Sequence, residues 1–209
     1  MQRRAPGHAG ARMRCFAAVP LEETALSDAQ RLLASLRERV DGVRWVRPDA
    51  LHVTVHFFGS IDDERVRAGL KALLPVAADM LEFRATLDRL GTFPSRGSPR
   101  VLWLGAFKEP PMLTALAMAT RHALSRSGFD VERRPFRAHC TLGRPREPWT
   151  RDARDAWRAA ASERVEVAPF TARRLVLYES TPAPGGNVYS ERASFPFSAA
   201  ALAAPATRK

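Results

Sequence analysis

The stretch RPDALHVTV, Arg47–Val55, decides the fold because it has a near echo in RPFRAHCTL, Arg134–Leu142. Arg, Pro, His and Thr take the same places in both, and a branched apolar residue closes each. One His-x-Thr-apolar tetrad is a weak signal, since a lone strand histidine is ordinarily just packed or exposed. Two at matching places, each after the same Arg-Pro, indicate a duplicated unit and a site built from both copies.

The flanking pattern repeats as well. RCFAAVP (14–20) reads as a buried strand. SDAQRLLASLRERVDG reads as a helix capped by Ser27 and stopped by Gly42, with Leu32, Leu33, Leu36 and Val40 as its apolar face. VRWV and the strand LHVTVHFFG (51–59) follow, then a helix from about Asp62 to Ala78 and a strand-like alternation in EFRATLDRLGTF (82–93). The second half supplies the strand VLWLGAF (101–107), a helix from PPMLTAL to Gly128, the strand AHCTL (138–142), a helix over roughly Thr150 to Ser162, and strands in VEVAPF and ARRLVLYES. The order predicts an α+β fold: two lobes of duplicated β-α-β units, related by a pseudo-twofold, whose sheets form a central groove. Residues 1–12 are expected to be a disordered extension, 13–197 one bilobal catalytic domain, and 198–209 a disordered tail.

Charge is the compositional departure. The 209-residue chain carries a formal +11, and only Lys71, Lys108 and Lys209 are lysines, which leaves 30 of 33 basic residues as arginine. Five of these charges lie in the first twelve residues and the last two, leaving +6 on the body, a balance suited to a polyanionic partner. No segment approaches the ~20 apolar residues needed to span a bilayer, and the run Cys15–Val19 is too short for a signal-peptide core. A cytoplasmic protein with no membrane partner is expected. Cys15 and Cys140 have neither metal-ligand nor disulfide spacing and read as buried thiols.

Strand side chains alternate faces, so His52 and Thr54 point one way and Val53 and Val55 the other; His139 and Thr141 pair likewise, with Cys140 and Leu142 behind them. Two imidazoles and two hydroxyls around one point suit phosphoryl transfer. One imidazole takes the proton of the attacking oxygen, the other protonates the leaving oxygen, and the hydroxyls donate to the non-bridging oxygens. Histidine fills both proton roles near neutrality, so neither a metal nor a cofactor is expected. His52 and His56, four residues apart on a strand, are roughly 13 Å apart by strand rise, too far to chelate one ion. His56 is placed at the groove rim or solvent edge, and His122 on a helix surface. A nucleophilic Cys140 would face away from His139, and Ser180 and Ser190 lack a nucleophile-elbow context. Arg144, between Gly143 and Pro145 where the strand is read to end, is a candidate to reach a phosphate at the groove mouth. Phe57, Phe58, Phe93, Trp103 and Tyr189 are candidates to stack on a base. The near-symmetry leaves open which histidine is acid and which is base.

MRCFAAVP, WVRPDALHVTVHFFG, LGTFPSRGSPRVLWLG, RPFRAHCTLGRP and LVLYES, in this order from Met13 to Phe197, resemble the 2H phosphoesterases, and within them the bacterial RNA 2′,3′-cyclic phosphodiesterases once called 2′-5′ RNA ligases. The resemblance implies hydrolysis of a terminal 2′,3′-cyclic phosphate on RNA to a 2′-phosphate. It implies His52 as proton donor and His139 as proton acceptor, Thr54 and Thr141 holding the phosphate, and Arg144 binding substrate. The expected partners are RNA or oligonucleotide ends, and a monomer suffices because one chain supplies the groove. Reversible 2′-5′ joining of RNA ends and a non-catalytic nucleotide-binding module are the competing functions.

Overall fold

The computed structural model describes residues 12–199; residues 1–11 and 200–209, where the extension and most of the tail are expected, lie outside the described residues. The chain begins with β1 (Met13–Pro20), α1 (Glu23–Arg39), β2 (Val43–Trp45) and β3 (His52–Ile61), continues through α2 (Asp63–Ala78), and then β4 (Phe83–Ala85) and β5 (Arg89–Phe93). The second unit holds β6 (Val101–Gly105), α3 (Pro111–Arg126), β7 (His139–Pro145) and α4 (Arg151–Ser162), followed by β8 (Phe170–Ala172), β9 (Arg174–Ala183) and β10 (Gly186–Pro196).

The strand order is β10-β9-β1-β3-β7-β6-β5, with β2 also on β7, and β4 pairs with β8 in a separate ribbon. The sheets of the two units meet at a single antiparallel pair, Val53 with Cys140. The duplication is visible in this connectivity: β9-β1-β3 and β5-β6-β7 are matching triplets, and the equivalent short strands β4 and β8 pair with each other between the lobes. Behind the sheet, Val53, Cys140, Leu104 and Leu177 join one apolar cluster with Leu33, Leu36, Leu73, Leu113, Leu116 and Trp157 of the helices. Burying that face leaves the other free to form the groove.

Local signals explain most boundaries and two misreadings. The Asp62 carboxylate accepts the backbone N–H of Arg65 at 2.9 Å and the Thr150 hydroxyl that of Ala153 at 3.2 Å, so α2 and α4 begin where expected. The first helix instead begins a turn before Ser27, at Glu23, and the Glu22 carboxylate is drawn away to the backbone N–H of Thr171 at 3.0 Å. Gly42, with φ +70, makes the left-handed turn beyond it. Residues 82–93 are two strands in different sheets rather than one, and β10 was not legible: as an edge strand with most side chains exposed it lacks the alternation that marks a half-buried strand.

Candidate active site

The single Val53–Cys140 pair brings the two motifs together. It aligns β3 and β7 antiparallel, and continuing that register sets His52 opposite Thr141 and His139 opposite Thr54 on the groove face. Each ring is fixed the same way. His52 Nδ1 lies 2.7 Å from the carbonyl oxygen of Ala50, and His139 Nδ1 lies 2.8 Å from that of Arg137, in both cases two residues earlier. A carbonyl only accepts, so Nδ1 carries the proton and Nε2 is left for the groove. His52 Nε2 is 3.1 Å from Thr54 Oγ1.

Aromatic rings clamp both imidazoles. Phe16 stacks on His52 with centroids 4.7 Å apart, Tyr189 meets it edge-on at 5.2 Å, and Phe93 meets His139 edge-on at 4.9 Å. This packing has an electrostatic consequence: desolvation lowers the pKa of His52 to about 4, against a smaller upward pull from the Ala50 carbonyl, and also lowers that of His139. Glu109 breaks the symmetry. Its carboxylate accepts the backbone N–H of Ala138 at 3.0 Å, and its negative charge pulls the His139 pKa partly back up. No sequence motif signalled Glu109, which reaches the site only because its loop folds beside β7.

A matched irregularity follows each motif. In the β1–β3 and β6–β7 registers, Ala17 pairs with His56 and Ala18 with Thr54, while Leu102 pairs with Gly143 and Trp103 with Thr141. Val55 and Leu142 are therefore extra residues, two β-bulges at the closing position of each tetrad. The bulge corrects the expectation for His56. Strict alternation would keep His56 on the face of His52, but the added residue turns it to the helix side, where it is 8% exposed and edge-on to Phe58 at 4.8 Å. Among the described residues its Nε2 has no hydrogen-bond partner. The same shift sends Phe57 out to the groove at 67% exposure while Phe58 packs back against Phe129. Of the five stacking candidates Phe57 thus has the freest ring. Phe93 is committed to His139 and Trp103, and Tyr189 lies against His52.

The groove is a cleft of about 990 Å³ whose lining includes His52, Thr54, Thr141, Phe57, Tyr189 and Arg144. Arg144 does not swing from a loop. The strand continues to Pro145 because β2 pairs along its edge, and Arg144 is held directly across from Arg44. Gly143 permits this pairing, since a Cβ there would lie 2.6 Å from Val43 Cγ1. Arg14, Arg44, Arg47, Trp45 and Arg146 also line the cleft; spacing does not mark the arginines among thirty of their kind, and nothing local marks Trp45. The repeated Arg-Pro does not mark equivalent contacts: Arg47 pairs with Asp49 beside the cleft, whereas Arg134 pairs with Glu132 on the surface. Cys140 is fully buried on the far face and its thiol is pushed up to about 12, and His122 is exposed on α3, both as expected. Among the described residues no cluster of three His, Cys, Asp or Glu side chains has metal-site geometry, and no helix is long and apolar enough to cross a membrane.

The family model for LigT-like phosphoesterases matches residues 24–103 and 108–189, two segments that each contain one His-x-Thr tetrad. The chain belongs to this family. As a LigT-like phosphoesterase it is similar to the RNA 2′,3′-cyclic phosphodiesterase of Archaeoglobus fulgidus, 30% identical over 181 residues, 86% of this chain and 97% of that protein. The RNA 2′,3′-cyclic phosphodiesterase of Thermotoga maritima is 29% identical over 179 residues, 85% of this chain and 91% of the relative. Among solved structures, Escherichia coli LigT in complex with 3′-AMP superposes with a TM-score of 0.71 at 25% identity, covering 89% of this chain and 98% of LigT. Apo LigT gives 0.67 at 27% identity, covering 90% and 99%. The bilobal α+β architecture expected from the duplicated motif is the LigT-like fold.

Proposed function

We propose that this protein is a cytoplasmic, monomeric RNA 2′,3′-cyclic phosphodiesterase that opens a terminal cyclic phosphate to a 2′-phosphate. The observation that carries the reading is the pair of imidazoles on adjacent antiparallel strands, each with Nδ1 held by a carbonyl two residues earlier, so that Nε2 is the nitrogen left for chemistry; that of His52 rests against Thr54 Oγ1 in the cleft, and His139 stands opposite Thr54 across the strand pair. Water attacks phosphorus as His139 Nε2 accepts its proton; the bond from phosphorus to the 3′-oxygen breaks, and His52 Nε2 donates a proton to that leaving oxygen. The water oxygen forms the new bond to phosphorus, the retained bond to the 2′-oxygen leaves a 2′-phosphate, and proton exchange with solvent resets the pair. Thr54 and Thr141 donate to the non-bridging oxygens, with the Thr54 hydroxyl turning from His52 to the phosphate, and Arg144 balances the charge.

In the free cleft desolvation lowers both pKa values and so favours the neutral imidazoles. A bound phosphodiester anion favours the charged imidazolium and draws a proton onto the pair. The donor is thus charged by its substrate. The RNA 2′,3′-cyclic phosphodiesterase activity for which the relatives are named and the 3′-AMP complex of LigT support the same substrate class. The test is hydrolysis of an oligonucleotide ending in a 2′,3′-cyclic phosphate, in EDTA, by His52→Ala and His139→Ala. Each variant should stay folded by circular dichroism and lose turnover; full activity in either overturns the mechanism.

A further inference from the structure

Arg44 and Arg144 are direct cross-strand partners in the β2–β7 pairing, a like-charge placement that weakens a sheet unless something offsets it. Arg14 and Arg146 line the same cleft. Among the described residues none of the four makes an ion pair or a side-chain hydrogen bond; some arginines elsewhere are matched to acids, as Arg39 is to Glu163 and Arg174 to Glu191, and others such as Arg67 stand singly on the open surface, so the distinctive feature is four of them gathered in one cleft. Four unneutralised guanidiniums in a concave site focus a positive potential far larger than one phosphate needs. The cleft is also at the upper end of the size that encloses a single small ligand, ~300–1,000 Å³.

We infer that Arg44, supported by Arg14 and Arg146, forms a second phosphate subsite beside the Arg144 end of the catalytic cleft. It takes the phosphodiester that precedes the terminal nucleotide, so the preferred substrate is an RNA strand and not a free 2′,3′-cyclic mononucleotide. This rests on the cyclic phosphodiesterase reading and adds the substrate's length to it. β2 is three residues long and, among the described residues, joins the sheet along β7 alone, so the strand pairing that positions Arg144 also positions Arg44 relative to Thr141 and His139. A guanidinium binds a phosphate through two parallel N–H donors, and neighbouring phosphates of one strand satisfy both arginines at once.

The experiment compares kcat/KM of the full chain on adenosine 2′,3′-cyclic phosphate and on the ApA dinucleotide ending in a 2′,3′-cyclic phosphate, at two salt concentrations. The wild type should favour the dinucleotide by about tenfold at low salt, less at high salt because added ions screen the attraction between the arginines and the extra phosphodiester. Arg44→Ala should bring the ratio close to one, and Arg44→Lys should keep part of the preference. Arg67→Ala, which removes the same charge from the exposed surface of α2, should leave the ratio and both rates at wild-type values. Equal wild-type rates on the two substrates, or an undiminished ratio in Arg44→Ala, overturns the subsite. Hydrolysis of neither substrate is a separate result, which removes the proposed activity. In that event, fluorescence anisotropy with labelled 2′-phosphate-ended mononucleotide and dinucleotide still reads the Arg44 dependence, and equal affinities there overturn the subsite.

Discussion

Replacing His56 by Leu should make the protein more resistant to acid, and the size of the effect follows from where the β3 bulge places the ring. His56 is buried behind the sheet; desolvation first, and then the charge of Arg121, lower its pKa from 6.5 to about 4. In the unfolded chain it titrates near 6.5. Between these values the unfolded state binds the extra proton, so stability falls as pH drops through this window and levels off below the folded value. At 1.36 kcal/mol per unit, one such group costs about 2 kcal/mol between pH 7.5 and pH 5. His52 and His139 add losses of the same sign, which both proteins share. Leu is close to His in volume and also removes the unpartnered Nε2, which by itself costs roughly 1–3 kcal/mol when buried. The assay is urea denaturation of wild type and His56→Leu at pH 7.5 and pH 5, monitored by circular dichroism. The variant should match or exceed the wild type at pH 7.5 and gain about 2 kcal/mol more at pH 5. Parallel losses in both proteins, with no widening of the gap, would refute the argument.

Hydrolysis should show bell-shaped pH profiles, with the optimum of kcat/KM on the acid side of the optimum of kcat. The first reports the free histidines, whose pKa values burial lowers, and the second reports them beside a bound anion that raises both; coincident optima would count against substrate-induced protonation. Thr54→Ala and Thr141→Ala should each reduce kcat by roughly 10²–10³-fold if the hydroxyl is a transition-state donor, with little change in unfolding midpoint. A loss confined to KM would reassign it to ground-state binding. Gly91→Ala should destabilise by about 1–3 kcal/mol, because the added Cβ would lie 2.2 Å from Trp103 Cη2 and must displace a ring that packs on Phe93, the neighbour of His139. An unchanged urea midpoint would show that Trp103 moves freely.

The pairing of motifs was legible because a strand's two-residue period needs no tertiary information: His52 with Thr54, and His139 with Thr141, follow from spacing alone. The helices α2 and α4 were legible at their starts because Asp62 and Thr150 cap their own backbones, a contact three residues long. What failed was nonlocal. His56 leaves the face that alternation assigns it because a bulge exists only in the pairing of two strands, and β10 carries no local signal because nothing in an exposed edge strand repeats. Arg44 is one of thirty arginines, and only the pairing of β2 along β7 distinguishes it.

The sequence by itself determined that the chain is duplicated, that each copy offers one imidazole and one hydroxyl from a strand, and which motifs it shares with 2H phosphoesterases. These are local periodicities and one internal repeat, written within a few residues of each motif. Only the tertiary structure decided that the two strands meet at Val53 and Cys140, that the β3 bulge turns Phe57 to the cleft and His56 away from it, and that Arg44 stands across from Arg144. The physical reason is that strand register, burial and uncompensated charge arise between segments far apart in the chain, where no local pattern records them.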